Sequence, residues 1–205
     1  MKENVIWQNT KINKENREKI INQKGVVIWF TGLSGAGKST IALCLEERLN
    51  NLGKLTYMLD GDNLRHGLNK DLNFTIEDRK ENIRRVSEVA KLFLDAGIIT
   101  LASFISPLRD DRSFARKIIG NNFIEVYVKC PINLCKERDP KGLYKKAEKG
   151  LIKNFTGIDS VYEEPINEEI LIDTSNKTLD EEIDMIINFL IERNYLKIGE
   201  IWIKK

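Results

Sequence analysis

The chain has 205 residues, enough for one domain with a sizeable buried core and too few for a second large one. Lysine and arginine number 33 against 31 aspartates and glutamates, and this net charge of +2 gives no chain-wide basic excess of the kind a nucleic-acid binder carries. No stretch reaches the roughly 18 apolar residues of a membrane span, and the polar residues 1–24 hold no apolar signal core, so no membrane partner and a cytoplasmic location are expected.

Residues 1–24 read as an arm with one helix over Lys14 to Gln23. Val26 to Phe30 is a short continuous apolar run, the pattern of a strand buried on both faces. Similar runs follow at Leu55 to Leu59, Ile98 to Phe104 and Phe123 to Val128, with a weaker one at Ile170 to Ile172. Helical patterns lie between them: Ser39 to Asn51, Asp78 to Asp95, Asp110 to Ile119, a helix after Pro131, and Leu179 to Arg193. Strands alternating with helices imply an α/β fold, a five-stranded parallel sheet with helices on both faces. The stretch 139–164 fits neither strand nor helix. It carries Lys141, Lys145, Lys146, Lys149 and Lys153 with Gly142, Gly150 and Gly157, the composition of a basic lid. The expected organisation is an arm over 1–24, a catalytic domain over 25–195 and a tail over 196–205 containing Ile198, Ile201, Trp202 and Ile203.

Three cysteines, Cys44, Cys130 and Cys135, lack the paired spacing of a disulfide framework or a zinc site and are expected reduced, Cys44 and Cys130 as small core residues. Trp29 reads as core, and His66, the single histidine, as a structural loop residue.

Gly32-Leu33-Ser34-Gly35-Ala36-Gly37-Lys38-Ser39 matches G-x-x-x-x-G-K-[ST] in full, after a buried strand and before a helix. Its glycines let successive N–H groups point at phosphate oxygens, and the helix N-terminus faces the same anion. Lys38 should reach the β- and γ-phosphates, and the Ser39 hydroxyl should ligate Mg²⁺. These features make the fold class a three-layer P-loop NTPase. No N-K-x-D string stands at the place a guanine-specific GTPase needs, and no second large domain is present, so a kinase for a small acceptor is favoured.

Asp60-Gly61-Asp62-Asn63-Leu64-Arg65 follows the second strand, at the sheet edge where open α/β folds bind ligands. One carboxylate is expected to orient the acceptor hydroxyl and accept its proton, the other to hold water on the metal ion. Arg79 and Asn82 share a face at the start of the long helix and, with Arg65, suit a phosphate or sulfate group. Arg84 and Arg85 read as surface charges or intersubunit contacts. Ser106, past the third strand, lines the acceptor pocket, takes the phosphoryl group itself, or is a structural loop serine. Direct transfer between two bound substrates needs no such intermediate.

Together these strings resemble the adenylylsulfate kinase family: WFTGLSGAGKST at 29–40, DGDNLRHGL at 60–68, DRKENIRRVSEVAKLFLDAG at 78–97, ISPLRDDR at 105–112, RDPKGLYKKAEKG at 138–150 and IKNFTGIDSVYE at 152–163. The resemblance covers about residues 5 to 190, and DGDN, ENIRRVSEVAKL and KNFTGIDS are far more specific than the phosphate loop. It implies transfer of the γ-phosphate of ATP to the 3′-hydroxyl of adenylyl sulfate (APS), with Mg²⁺, in sulfate assimilation, by a homodimer. It implies that the phosphate loop through Thr40, and Arg138, hold the nucleotide. Ser39 and Asp60 would hold the metal. Asp62, with Lys38 and Asp60, would serve catalysis. Arg65, Phe74, Arg79, Asn82, Ile105, Ser106, Lys141, Leu143 and Phe155 would contact APS, with Phe74 and Phe155 stacking its adenine. Ser106 matches a serine the family marks as a phosphoserine intermediate. Asn73 stands where the family often has glycine, and Gln8 where it often has histidine. Other small-acceptor kinases, for gluconate or nucleotides, and a non-catalytic nucleotide sensor are the competing readings. The specific strings disfavour the first, and the intact Lys38, Asp60 and Asp62 the second.

Overall fold

The computed structural model describes residues 5–197. Five strands form one parallel sheet: β1 (Val26–Thr31), β2 (Thr56–Asp60), β3 (Ile99–Ser103), β4 (Phe123–Lys129) and β5 (Ile170–Asp173), in the order β2-β3-β1-β4-β5. All pairings are parallel, and β1 lies at the centre with Val26 opposite Ile99 and Val27 opposite Phe123. Every residue of β1 is buried, as its unbroken apolar run predicts for a strand covered on both faces.

Each face has its own core. Val26, Ile28 and Phe30 point to one side, where α2 (Lys38–Asn51) and α8 (Leu179–Glu192) pack through Ile41, Leu45, Ile186 and Leu190. Val27 and Trp29 point to the other, against α4 (Ile76–Asp95) and α5 (Arg109–Ile119) through Ile83, Val86, Ala90 and Ala115. Helix α1 (Lys14–Ile21) docks against the foot of this layer: Arg17 pairs with Asp95, and the Gln23 amide donates to the carbonyls of Leu55 and Gly97.

The boundaries differ from expectation where a cap decides them. The Thr75 side chain accepts the Asp78 N–H, so α4 starts at Ile76 rather than Asp78. Asn22 in the left-handed conformation ends α1 two residues early. Two short helices were not expected: α3 (Gly61–Leu64), and α7 (Leu143–Glu148) inside the lid region. The latter follows α6 (Ile132–Arg138), and Asp139 accepts the N–H groups of Tyr144 and Lys145, capping α7 from four residues before its start. Cys44, Cys130 and Cys135 are free, with Cys44 half-buried rather than in the core. Leu196, at the start of the expected tail, is buried against the first core; Ile198, Ile201, Trp202 and Ile203 lie outside the described residues. No described helix is long and apolar enough to cross a membrane.

Candidate active site

The C-terminal ends of β1, β2, β3 and β5, with the segment after α6, open into one cavity of about 1080 Å³. β1 delivers the phosphate loop into its middle. Gly32 holds φ at 149°, and a side chain there would strike the Val128 carbonyl at 2.4 Å, so only glycine lets the loop leave the strand. Gly35, at φ 75°, sits so close to the Cys135 carbonyl that a Cβ would meet it at 2.9 Å. Ser34, Gly35, Gly37, Lys38, Ser39 and Thr40 line the cavity. Gly32, Leu33 and Ala36 do not: they shape the loop from behind, and Leu33 faces a second cavity of about 780 Å³ beneath Tyr127 and Tyr162. The Lys38 ammonium donates to the Leu33 carbonyl at 2.7 Å. Burial pushes its pKa down to about 8, because a charge out of water loses hydration that nearby Asp60 and Asp62 only partly replace.

Asp60 ends β2 and is the N-cap of α3. One of its oxygens accepts the N–H groups of Asp62 and Asn63, and the other accepts the Ser39 hydroxyl at 2.9 Å. A hydroxyl and a carboxylate side by side at the phosphate loop fit Mg²⁺, which takes few protein oxygens and completes its shell with phosphate and water. Asp62 projects from α3 into the cavity and is ion-paired with Lys141, so two residues far apart in sequence meet at this wall. That contact raises the Lys141 pKa, first through the hydrogen bond itself.

Arg65, Phe74, Arg79 and Asn82 form the next wall. The Arg65 guanidinium lies 4.1 Å over the Phe74 ring and donates to the carbonyls of Leu72 and Asn73. Arg79 spans to the lid: its fork donates to the Asn154 carbonyl at 2.6 Å and the Thr156 hydroxyl at 3.1 Å, and its Nε to the Phe74 carbonyl. Buried Asn82 accepts from Asn69 and is thereby held in place. Phe155 is buried edge-on against Tyr144, 5.0 Å between ring centres, whereas Phe74 is 56% exposed. Leu143 and Lys141 complete the lid side. By contrast, Arg84 and Arg85 point away, into ion pairs with Glu81 and Asp71.

Beyond β3, Ile105 and Ser106 line the same wall. Ser106 has φ 38°, unusual for a residue with a side chain, and only 3% of it is exposed. Its hydroxyl accepts the Trp29 indole N–H at 3.1 Å, a role for Trp29 beyond filling the core. Its carbonyl accepts from Arg112, whose guanidinium also binds Glu125 at 2.7 Å and the Glu163 carbonyl. Thr31 adds a bond to the Ile105 carbonyl and one shared with the Tyr162 hydroxyl. The loop after β3, the end of β1 and the foot of the lid are thus one bonded unit.

On the far side, Arg138 donates to the hydroxyl and carbonyl of Thr174, and the Thr174 hydroxyl reaches the Ala36 carbonyl of the phosphate loop. The sequence reading missed Thr156, Thr174, Lys177, Asp111 and Glu182, all of which line the cavity. Asp111 and Glu182 are buried acids whose pKa values are raised, in both cases first by loss of hydration.

The adenylylsulphate kinase family profile matches residues 24–173. An adenylyl-sulfate kinase of Clostridium acetobutylicum is 61% identical over 193 residues, covering 94% of this chain and 96% of the relative. One from Clostridium kluyveri is 58% identical, covering 91% and 94%. Among solved structures, an APS kinase of Mycobacterium tuberculosis in complex with AMPPNP and APS superposes with a TM-score of 0.79 at 47% identity, covering 82% of this chain and 98% of that one. Fold, cavity and these matches agree, and the chain belongs to the adenylylsulphate kinase family.

Proposed function

We propose that the protein transfers the γ-phosphate of ATP to the 3′-hydroxyl of adenylyl sulfate, giving ADP and 3′-phosphoadenylyl sulfate. One observation carries the reading: Asp62, on the short helix after β2, opens onto the same cavity as Lys38 and Ser39 and faces a wall holding Arg65 and Arg79. A phosphate cradle, a hydroxyl-directed carboxylate and an arginine pair for a second anion are the parts of a two-substrate kinase. The match to a relative solved with AMPPNP and APS supports both ligands.

In this reading Lys38 and the loop N–H groups neutralise charge on the β- and γ-phosphates. Ser39 and Asp60 would hold Mg²⁺, which supplies further neutralisation of the phosphate oxygens. Asp62 orients the acceptor hydroxyl and takes its proton as the new bond forms. Arg65, Arg79 and Asn82 take the phosphosulfate group, and Phe74 and Phe155 flank the acceptor adenine. Transfer is direct: the loose transition state needs alignment rather than a protein-bound phosphoryl group. The Ser106 hydroxyl, buried against Trp29, serves the loop's shape. The lid, about 139–164, closes over both substrates within a catalytic domain spanning 25–195. Three free cysteines suit a reducing cytoplasm. Exposed apolar Val5, Ile6 and Trp7 supply surface for a homodimer, which light scattering in solution would test.

The deciding experiment incubates the protein with ATP, Mg²⁺ and adenylyl sulfate and measures ADP and the 3′-phosphorylated product. Absence of product from protein that binds ATP overturns the reading.

A further inference from the structure

We propose that Glu182 reads the base of the nucleotide donor, accepting a hydrogen bond from the exocyclic amine of a 6-aminopurine. The inference rests on the ATP-binding part of the proposed function and adds a specificity-determining residue to it.

Topology places the base. The phosphates belong at the loop after β1, and the acceptor residues follow β2 and β3, so the donor's remaining atoms extend toward β4 and β5. Arg138, Thr174, Lys177, Leu179 and Glu182 line that end. Both Arg138 bonds to Thr174 hold its planar guanidinium still, and a fixed guanidinium plane is a stacking surface for a purine. Thr174 in turn is tied to the phosphate loop through Ala36, fixing the distance between the phosphate and base ends.

Glu182 stands in the first turn of α8 with only 4% of its surface exposed. Among the described residues its carboxylate makes no hydrogen bond and no ion pair, whereas its neighbour Glu181 closes the capping box with Thr178. Arg138 and Lys177 are near enough to favour its charge, but the Arg138 fork is already committed to Thr174. A first-turn acid kept for the helix dipole would have its pKa lowered. That of Glu182 is raised, first by burial and also by the neighbouring Glu181 charge, against the pull of Arg138 and Lys177. Its oxygens open onto the cavity without a protein donor, and that donor is what a ligand there supplies. A carboxylate only accepts, so it matches the 6-amino group of adenine and repels the 6-oxo group of guanine.

The test is a cycle between protein and ligand. Dissociation constants for ATP and for purine riboside 5′-triphosphate, which lacks the 6-amino group, are measured without acceptor for the parent, Glu182→Met and Glu182→Gln. Glu182→Met is expected to weaken ATP about tenfold and leave the analogue within about twofold. It should also melt at a higher temperature, since an unpaired buried charge is replaced by an apolar chain of similar size. Glu182→Gln keeps a weaker acceptor and the native shape, with about threefold loss for ATP alone. Equal weakening of both nucleotides, no weakening of either, or a parent that does not distinguish them overturns the proposal. Nucleotide discrimination without phosphorylation of adenylyl sulfate would instead overturn the acceptor assignment and leave Glu182 standing.

Discussion

Ser39 donates its hydroxyl proton to Asp60 across 2.9 Å, joining the first turn of the phosphate-loop helix to the end of β2. The same Asp60 caps the short helix that carries Asp62. The phosphate loop and the Asp62 carboxylate are therefore set relative to each other by one side chain.

Asp62→Asn tests the acceptor side. Turnover is expected to fall at least ~10²-fold, because the amide cannot take the acceptor proton. Nucleotide affinity should stay at the parent's value, since Ser39 and Asp60 are untouched. Near-parental turnover in a coupled ADP assay would move the role to Asp60.

The depressed pKa of Lys38 gives a pH dependence with two opposite signs. Phosphate binds the charged ammonium, so ATP affinity should fall as pH rises through about 8, and Lys38→Met should flatten that profile. Stability should run the other way. In the unfolded chain the lysine titrates near 10.5, so between about 8 and 10.5 the unfolded state holds the extra proton and the folded state gains as pH rises. Below about 8 both states are charged and the burial cost is present in full. Urea denaturation of parent and Lys38→Met at about pH 7 and about pH 9.5 should show their stability gap narrowing at the higher pH.

Ser106→Ala should keep most of its activity. Its measurable effect is a loss of about 1–3 kcal/mol of stability, because the buried Trp29 indole N–H loses its acceptor. Loss of all turnover together with a trapped phosphoserine in the parent protein would reverse this assignment.

Arg112 and Glu125 are 3% and 9% exposed and pair at 2.7 Å. Arg112→Ala leaves the buried Glu125 carboxylate only Arg116, 3.4 Å away, and should destabilise by about 3 kcal/mol in urea titrations. The double variant Arg112→Met with Glu125→Leu should recover much of that loss in stability. Its acceptor KM should be raised, since the Glu163 carbonyl loses its donor and the Ser106 carbonyl keeps only Thr31, 3.4 Å away. A double variant with parental acceptor KM would show that the network serves folding alone.

The residues legible in the sequence were those whose signal is local. The phosphate loop, the Asp60-Gly61-Asp62 turn and the buried run Val26 to Phe30 each state their role within a few positions. Helix α7 was hidden because its start rests on a left-handed Gly142 and on capping by Asp139, outside the helical pattern. Glu182 and Arg112 were hidden for another reason: a charged residue in a helix looks solvated until the neighbouring element covers it. For Arg112 one signal was present. Glu125 interrupts an otherwise apolar strand, and an acid in a strand buried on both faces requires a cation brought to it from elsewhere.

The strand order has a consequence for how such an enzyme changes. With β1 central, the phosphate loop, Arg138 and Thr174 follow β1, β4 and β5, Asp62, Arg65, Arg79 and Ser106 follow β2 and β3, and the segment after β4 reaches across to Asp62 and Arg79. In the proposed function the two specificities are then written largely on opposite halves of one sheet edge, bridged by residues 139–164. New acceptors are then reachable by rewriting two loops, the helix start at Arg79 and the bridging segment, with the phosphate loop inherited intact.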